Sequence, residues 1–169
     1  MFREMRRAQQ ALSVKDCAAI LEKGTSGVLA TDGDGGYPYT VPLSYAFVDG
    51  KLYFHCALTG HKLDAIRRNN KVSFCVTGKD EVAPEEYTTH FTSVIAFGRA
   101  RILETPQEKK KALQAIAEKY SPEQREEAKA EIEKLLDKTC AIEVKIEHLS
   151  GKAAIEVIRE NRRFQKAEK

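Results

Sequence analysis

The sequence predicts a mainly β fold, an antiparallel β-barrel with peripheral helices, and three observations carry that expectation. Apolar and polar residues alternate cleanly in stretches such as Lys71-Val72-Ser73-Phe74-Cys75-Val76-Thr77, the period of a half-buried strand. Asp49-Gly50, the strongest hairpin signal in the chain, joins two such stretches directly. Nothing alternates strand with crossover helix in the way a doubly wound parallel sheet requires. About six strands, several of them long, curl most readily into a barrel, which leaves no edge bare.

The elements follow in order. Ser13 is a helix N-cap with Asp16 three residues on, and Cys17, Ile20 and Leu21 recur at helical spacing before Gly24, so a short helix opens the fold. Leu12 before the cap and Cys17 in the second turn suit an apolar staple. Gly27–Thr31 is a strand, followed by a turn at Asp32–Gly36. Tyr37–Val48 is a long β segment interrupted by Pro38 and Pro42, sites that must face an edge, a bulge or a ligand because proline has no amide to donate. Across the Asp49-Gly50 turn, Lys51–Cys56 is a strand with Leu52, Phe54 and Cys56 on one face and Tyr53 and His55 on the other. Counted outward from that turn, Ser44 and Tyr45 fall opposite Phe54 and His55, and Thr40 and Val41 fall near residues 60–62.

His61–Asn69 reads as a helix with Leu63 and Ile66 inward, Lys71–Thr77 as a strand, and polar residues 78–88 as a loop. Thr89–Glu104 is a β segment with Gly98 as a bulge or close approach. Thr105-Pro106-Gln107-Glu108 and Ser121-Pro122-Glu123-Gln124 are two capping boxes with proline at the first helical position. Their helices are expected to bury Leu113, Ile116 and Ala117, and Ile132, Leu135 and Leu136. Thr139–Ile146 is a last strand, Ser150-Gly151-Lys152 a turn, and the chain from Ala153 a helix that frays past Asn161. A single domain spans 1–169, with 1–12 and 162–169 as flexible tails.

Bulk properties exclude several classes. The 169 residues are 42% hydrophobic, enough for one ordinary core. Charged residues make up 31%, yet the net charge is only +3, and a nucleic-acid partner would normally show as a basic stripe. No apolar run is long enough to span a bilayer and no apolar leader follows Met1, so a cytoplasmic protein without membrane contact is expected. Cys17, Cys56, Cys75 and Cys140 contain no CxxC pair. No metal site is expected, and the four thiols read as free, small hydrophobes.

The chemistry concentrates in His55-Cys56-Ala57-Leu58-Thr59-Gly60-His61-Lys62. Gly60 permits a close approach, and a helix starting at His61 presents unpaired first-turn amides with partial positive charge. Lys62 adds a full one. That combination suits a phosphate, although an ordinary solvated helix start uses the same residues. His55 leads into this end and could exchange a proton near neutral pH; a lone strand histidine is also a common structural residue. Pro42 leaves an acceptor carbonyl without an adjacent donor, which either an edge strand or the rim of a heteroaromatic ring would accommodate.

Several segments, in order, resemble the flavin-binding split-barrel superfamily related to pyridoxamine 5'-phosphate oxidase, and most of all its nitroimidazole-resistance branch. They are Gly27–Thr31, Tyr37–Tyr45, Tyr53–Ala57, Gly60–Asp64, Ser93–Ala100 and Ile146–Lys152. The resemblance implies an antiparallel split β-barrel that forms a homodimer, with FMN in clefts at the subunit interface. It implies FMN contacts from Thr40, Val41, Pro42, Leu43 and Ser44, from His55, Cys56 and Ala57, and from Ser93, Val94 and Ile95, while His61 and Lys62 hold the phosphate. His55 corresponds to the branch's proposed catalytic residue. The implied function is an FMN-dependent oxidoreductase that takes hydride from a reduced nicotinamide and reduces a small organic acceptor such as a nitro compound. The alternatives are a non-enzymatic flavin-binding sensor and a haem-binding split-barrel protein with His55 or His61 as axial ligand. The additional basic residues of the phosphate oxidase's own site have no full match here.

Overall fold

Local signals and long-range pairing together set the architecture, which a computed structural model describes for residues 2–160. The expected tail at 162–169, and the fraying past Asn161, lie outside the described residues. Ser13 caps α1 (Val14–Lys23) through a complete capping box with Asp16. Seven strands follow: β1 (Ser26–Asp32), β2 (Pro38–Ser44), β3 (Ala46–Val48), β4 (Lys51–Cys56), β5 (Lys71–Ala83), β6 (Thr88–Ile102) and β7 (Cys140–Ala153). Between them stand α2 (His61–Arg68), α3 (Pro106–Tyr120) and α4 (Arg125–Leu135).

The seven strands form one sheet in the order β2-β1-β5-β6-β7-β4-β3. Its two terminal strands, β2 and β3, are consecutive in the chain and separated only by Tyr45. The sheet therefore has to curl until its first and last strands meet within one residue, while β2 and β3 remain unpaired with each other. This is the split-barrel arrangement expected. Pro38 and Pro42 lie opposite Asp32 and Val28 on β2, a strand with a neighbour on one side only, which is where a missing amide is tolerated. Asp49 and Gly50, at φ 51° and 73°, make the tight turn that pairs Val48 with Lys51.

By their contacts the described residues form two compact units, each assembled from separated stretches of chain. The first takes the chain up to Gly24, Cys75–Ala96 and the residues from His148; the second takes Thr25–Phe74 and Phe97–Glu147. In the first, Ala153, Ala154 and Val157 pack with Leu12, Phe91 and Ile158. The end of the expected N-terminal tail is fixed there: Gln10 is buried, Ala11 bridges to Lys152, and the Leu12 amide donates to Gly151 O. In the second, Tyr45, Phe54 and Phe74 make an edge-to-face aromatic core, with ring centroids 4.9 and 5.0 Å apart at Phe74. A second cluster joins Ala46, Tyr53, Leu103, Ala112, Ile116 and Ala141, which seats α3 against the β3–β4 hairpin.

Four expectations are corrected. Residues 78–88 are not a loop: β5 and β6 extend as a hairpin through them, turning at Pro84–Glu86 with Tyr87 at φ 50°. Polar side chains do not prevent pairing, because the ladder is made by backbone. Ser150-Gly151-Lys152 is not a turn but part of β7; Gly151 is needed there because a Cβ would collide with Cys17 Sγ and Leu12. Helix α4 begins at Arg125 rather than Pro122, since the Ser121 amide already closes α3 by donating to Ala117 O. Finally, α4 has no buried residue; of its expected core positions Leu136, just beyond it, is the buried one. Gly98 is a close approach, its missing Cβ making room for Lys145 O.

Candidate functional site

The start of α2 is built as the sequence anticipates. Gly60 sits at φ 140° and ψ 162°, where a side chain would be strained, and it closes the first turn by accepting from the Leu63 and Asp64 amides at 2.9 and 3.3 Å. The amides of His61 and Lys62 precede the first helical bond and have no place in the helix's own ladder. Leu63, Ala65 and Ile66 are buried and anchor the helix. Lys62 is half-buried, and its charge favours ionisation of the Cys56 thiol.

His61 is less free than its neighbour. Its ring stacks on Tyr39 with centroids 4.0 Å apart, and Nε2 lies 3.4 Å from Asp34 Oδ2. Arg68 also reaches Asp34, at 3.1 Å, and donates to Asp32 O at 2.9 Å. The turn after β1 is thus tied to α2, and Tyr39, beside Thr40, stacks on His61 at the 60–62 bend. Tyr39 carries no sequence signal that would have singled it out.

The placement of β2 corrects the expected pairing. Thr40 and Val41 face Ala30 and Leu29, and Ser44 faces Ser26. The chain leaves β1 at Tyr45 and joins β4 only from Ala46, so Ser44 is not opposite Phe54 or His55. Along β2, Thr40, Pro42 and Ser44 are exposed and Val41 and Leu43 half-buried. In the first unit, on β6, Val94 is fully buried, Ser93 half-buried and Ile95 exposed.

His55 is exposed on β4, opposite Ala141. Its expected face-mate Tyr53 is instead 3% exposed beneath α3, its hydroxyl donating to Glu143 Oε2 at 3.3 Å. That face is therefore covered, and beyond Tyr53 it opens into a cavity of about 290 Å³ lined by His55 and by Leu113, Ile116, Tyr120 and Ile132 of the helices. Glu131 and Thr139 add polar groups to this mainly apolar wall. Such a lining, apolar with a few convergent polar atoms, is what small organic ligands use.

Two groups beside this region escaped sequence reasoning. Glu143 accepts from Lys51 Nζ at 3.0 Å and Arg101 Nε at 3.0 Å. Burial opposes its charge, but the bonds from Lys51 and Arg101 outweigh that and hold its carboxyl below the ordinary range. An acid between apolar strand positions reads as a solvent-facing residue; here Lys51, Tyr53 and Arg101 of the neighbouring strands enclose it. Tyr120 closes the bend at Tyr45: its hydroxyl accepts from the Tyr45 amide at 2.9 Å and lies within bonding reach of the carbonyls of Tyr45 (3.0 Å) and Thr25.

Residues 13–153 match the family model described as pyridoxamine 5'-phosphate oxidase, and the chain belongs to that family. Solved structures agree on the fold. A candidate 5-nitroimidazole antibiotic resistance protein from Bacteroides thetaiotaomicron superposes with a TM-score of 0.72 at 20% identity, over 84% of this chain and 85% of that one. A FAD-binding protein from Mesorhizobium loti gives 0.63 at 27% identity, over 86% and 97%. A FAD and haem binding protein from Mycobacterium smegmatis gives 0.75 at 22%, over 86% and 73%. No curated protein sequence matches significantly. Among the described residues no helix is long and apolar enough to cross a membrane.

Proposed function

We propose that the protein is an FMN-dependent oxidoreductase acting as a homodimer on a small organic acceptor, with a reduced nicotinamide as donor. The observation that carries this reading is the start of α2, where two amides outside the helical ladder and the half-buried Lys62 ammonium converge beside Gly60. An FMN phosphate fits that donor set in charge and in hydrogen-bonding capacity. His61, engaged with Asp34 and Tyr39, orients the entry to the helix. Thr40, Pro42 and Ser44 offer the exposed edge of β2 to the rest of the cofactor, and His55, Cys56 and Ala57 add the end of β4 and the residue after it. Bound flavin supplies the two-electron chemistry. His55 offers a hydrogen bond or a proton at the rim of the mainly apolar cavity, where a nitro or similar acceptor would rest against Leu113, Ile116 and Ile132. Membership of the pyridoxamine 5'-phosphate oxidase family, and the FAD-binding proteins among its structural neighbours, support a flavin cofactor.

The test is to titrate purified protein with FMN and follow its visible bands and the melting temperature. FMN should bind and stabilise, and Lys62→Glu should weaken binding by roughly 10- to 100-fold, the value of a charge-assisted bond. Light scattering on the loaded sample should give a dimer. Absence of flavin bands and of any melting shift refutes the reading. Unchanged affinity in Lys62→Glu removes the phosphate from α2.

A further inference from the structure

Cys56 ends β4 and Cys140 begins β7, and the two stand directly opposite each other in the antiparallel ladder. Opposed residues in such a ladder have Cα atoms about 4.5 or 5.5 Å apart, and both spacings lie inside the roughly 4.4–6.8 Å window of a disulfide. The two thiols therefore stand on neighbouring strands at one rung of the ladder. They differ in access: Cys56 is half-buried, whereas Cys140 is 6% exposed and its thiol donates to Ala141 O at 3.9 Å. Lys62 lies close enough to favour a Cys56 thiolate.

We propose that Cys56 and Cys140 are a reversible dithiol–disulfide site, oxidised by low-molecular-weight disulfides. The Cys56 thiolate attacks one sulfur of the small disulfide. That S–S bond breaks, a mixed disulfide forms on Cys56, and one small thiolate leaves. Cys140, deprotonated in turn, attacks the Cys56 sulfur and expels the second small thiolate. The two protons lost by the cysteines end on the two small thiols; the protein dithiol is oxidised by two electrons and the small disulfide is reduced by two. Burial, and then the neighbouring Cys140, hold Cys56 up at about 11 against the pull of Lys62, so the exchange is slow at neutral pH and quickens as pH rises. The exchange needs only the two thiols and the oxidant and routes no electron through a flavin, while Cys56 also belongs to the set of residues proposed to contact FMN.

The test uses the full chain, equilibrated overnight in glutathione buffers from fully reduced to fully oxidised. Oxidation should remove two thiols and two hydrogens from the intact mass, and peptide mapping should join Cys56 to Cys140. Because the bridge closes a long stretch of chain, the melting temperature should rise, on the order of 10 °C, and fall back on reduction. Cys140→Ser should stop at a glutathione adduct on Cys56. A Cys17→Ser/Cys75→Ser double variant, which leaves both proposed partners in place, should still cross-link. Accumulation of a stable adduct on the unaltered chain, cross-linking that depends on Cys17 or Cys75, or oxidation confined to denatured protein would each overturn the proposal.

Discussion

Glu143 shows how one side chain is held in a state its surroundings oppose. At 7% exposure it has lost most of its hydration, yet Lys51, Arg101 and the Tyr53 hydroxyl occupy its oxygens. Its carboxyl is therefore held below the ordinary range, and its contribution to stability is complete above that range and is lost as pH falls below roughly 4. Glu143→Gln should lower stability at pH 7 by about 1–3 kcal/mol, because the Lys51 and Arg101 bonds lose their charged acceptor. It should also flatten the acid limb of a melting-temperature profile measured between pH 3 and 8. An equally steep acid limb in the variant would mean that other carboxylates carry the acid sensitivity. His55, Gly60 and Lys62 were legible as residues because their signals are local. Glu143 and Tyr39 were not, since each acquires its role from a segment distant in sequence, β4 and β6 for one and α2 for the other.

At the scale of elements, α3 is a positioning device for the strand bend. Its last residue, Tyr120, reaches both the amide and the carbonyl of Tyr45 at the bend between β2 and β3. Lys119, one residue earlier, lies 4.0 Å from the centroid of the Tyr45 ring. Tyr120→Phe keeps the apolar bulk, removes the hydroxyl's bonds at the bend, and should cost about 1–3 kcal/mol in chemical denaturation. A loss within error would show that water replaces the hydroxyl. The same contact explains which elements were readable. Ser13 with Asp16, Thr105 with Glu108, and Asp49-Gly50 act within a few residues, and α1, α3 and the β3–β4 hairpin begin or turn where those signals stand. Ser121-Pro122-Glu123-Gln124 carries a similar signature, but Ser121 is consumed by the end of α3, and α4 starts later. The β5–β6 hairpin was hidden for the opposite reason, as its distal half pairs without an apolar face to mark it.

For the molecule as a whole, the curled sheet was legible from period and turn counts, whereas the division into two units was not. Strands β5, β6 and β7 each contribute to both units, and no composition shift marks where a strand passes from one to the other. The proposed site is named from residues around His55–Lys62 in the sequence; the cavity could not be, because most of its walls come from helices inserted between β6 and β7. One property of the sheet has a dynamic counterpart. Its two borders share Tyr45, so fraying cannot begin at either border alone: peeling β2 from β1 drags on β3, and releasing β3 from β4 slackens β2. The borders should behave as one cooperative opening unit. In native-state hydrogen exchange, the ladder amides of β1–β2 and of β3–β4 should lose protection at the same denaturant concentration and with the same slope. Tyr120→Phe should lower both together, as though a single clasp had been loosened.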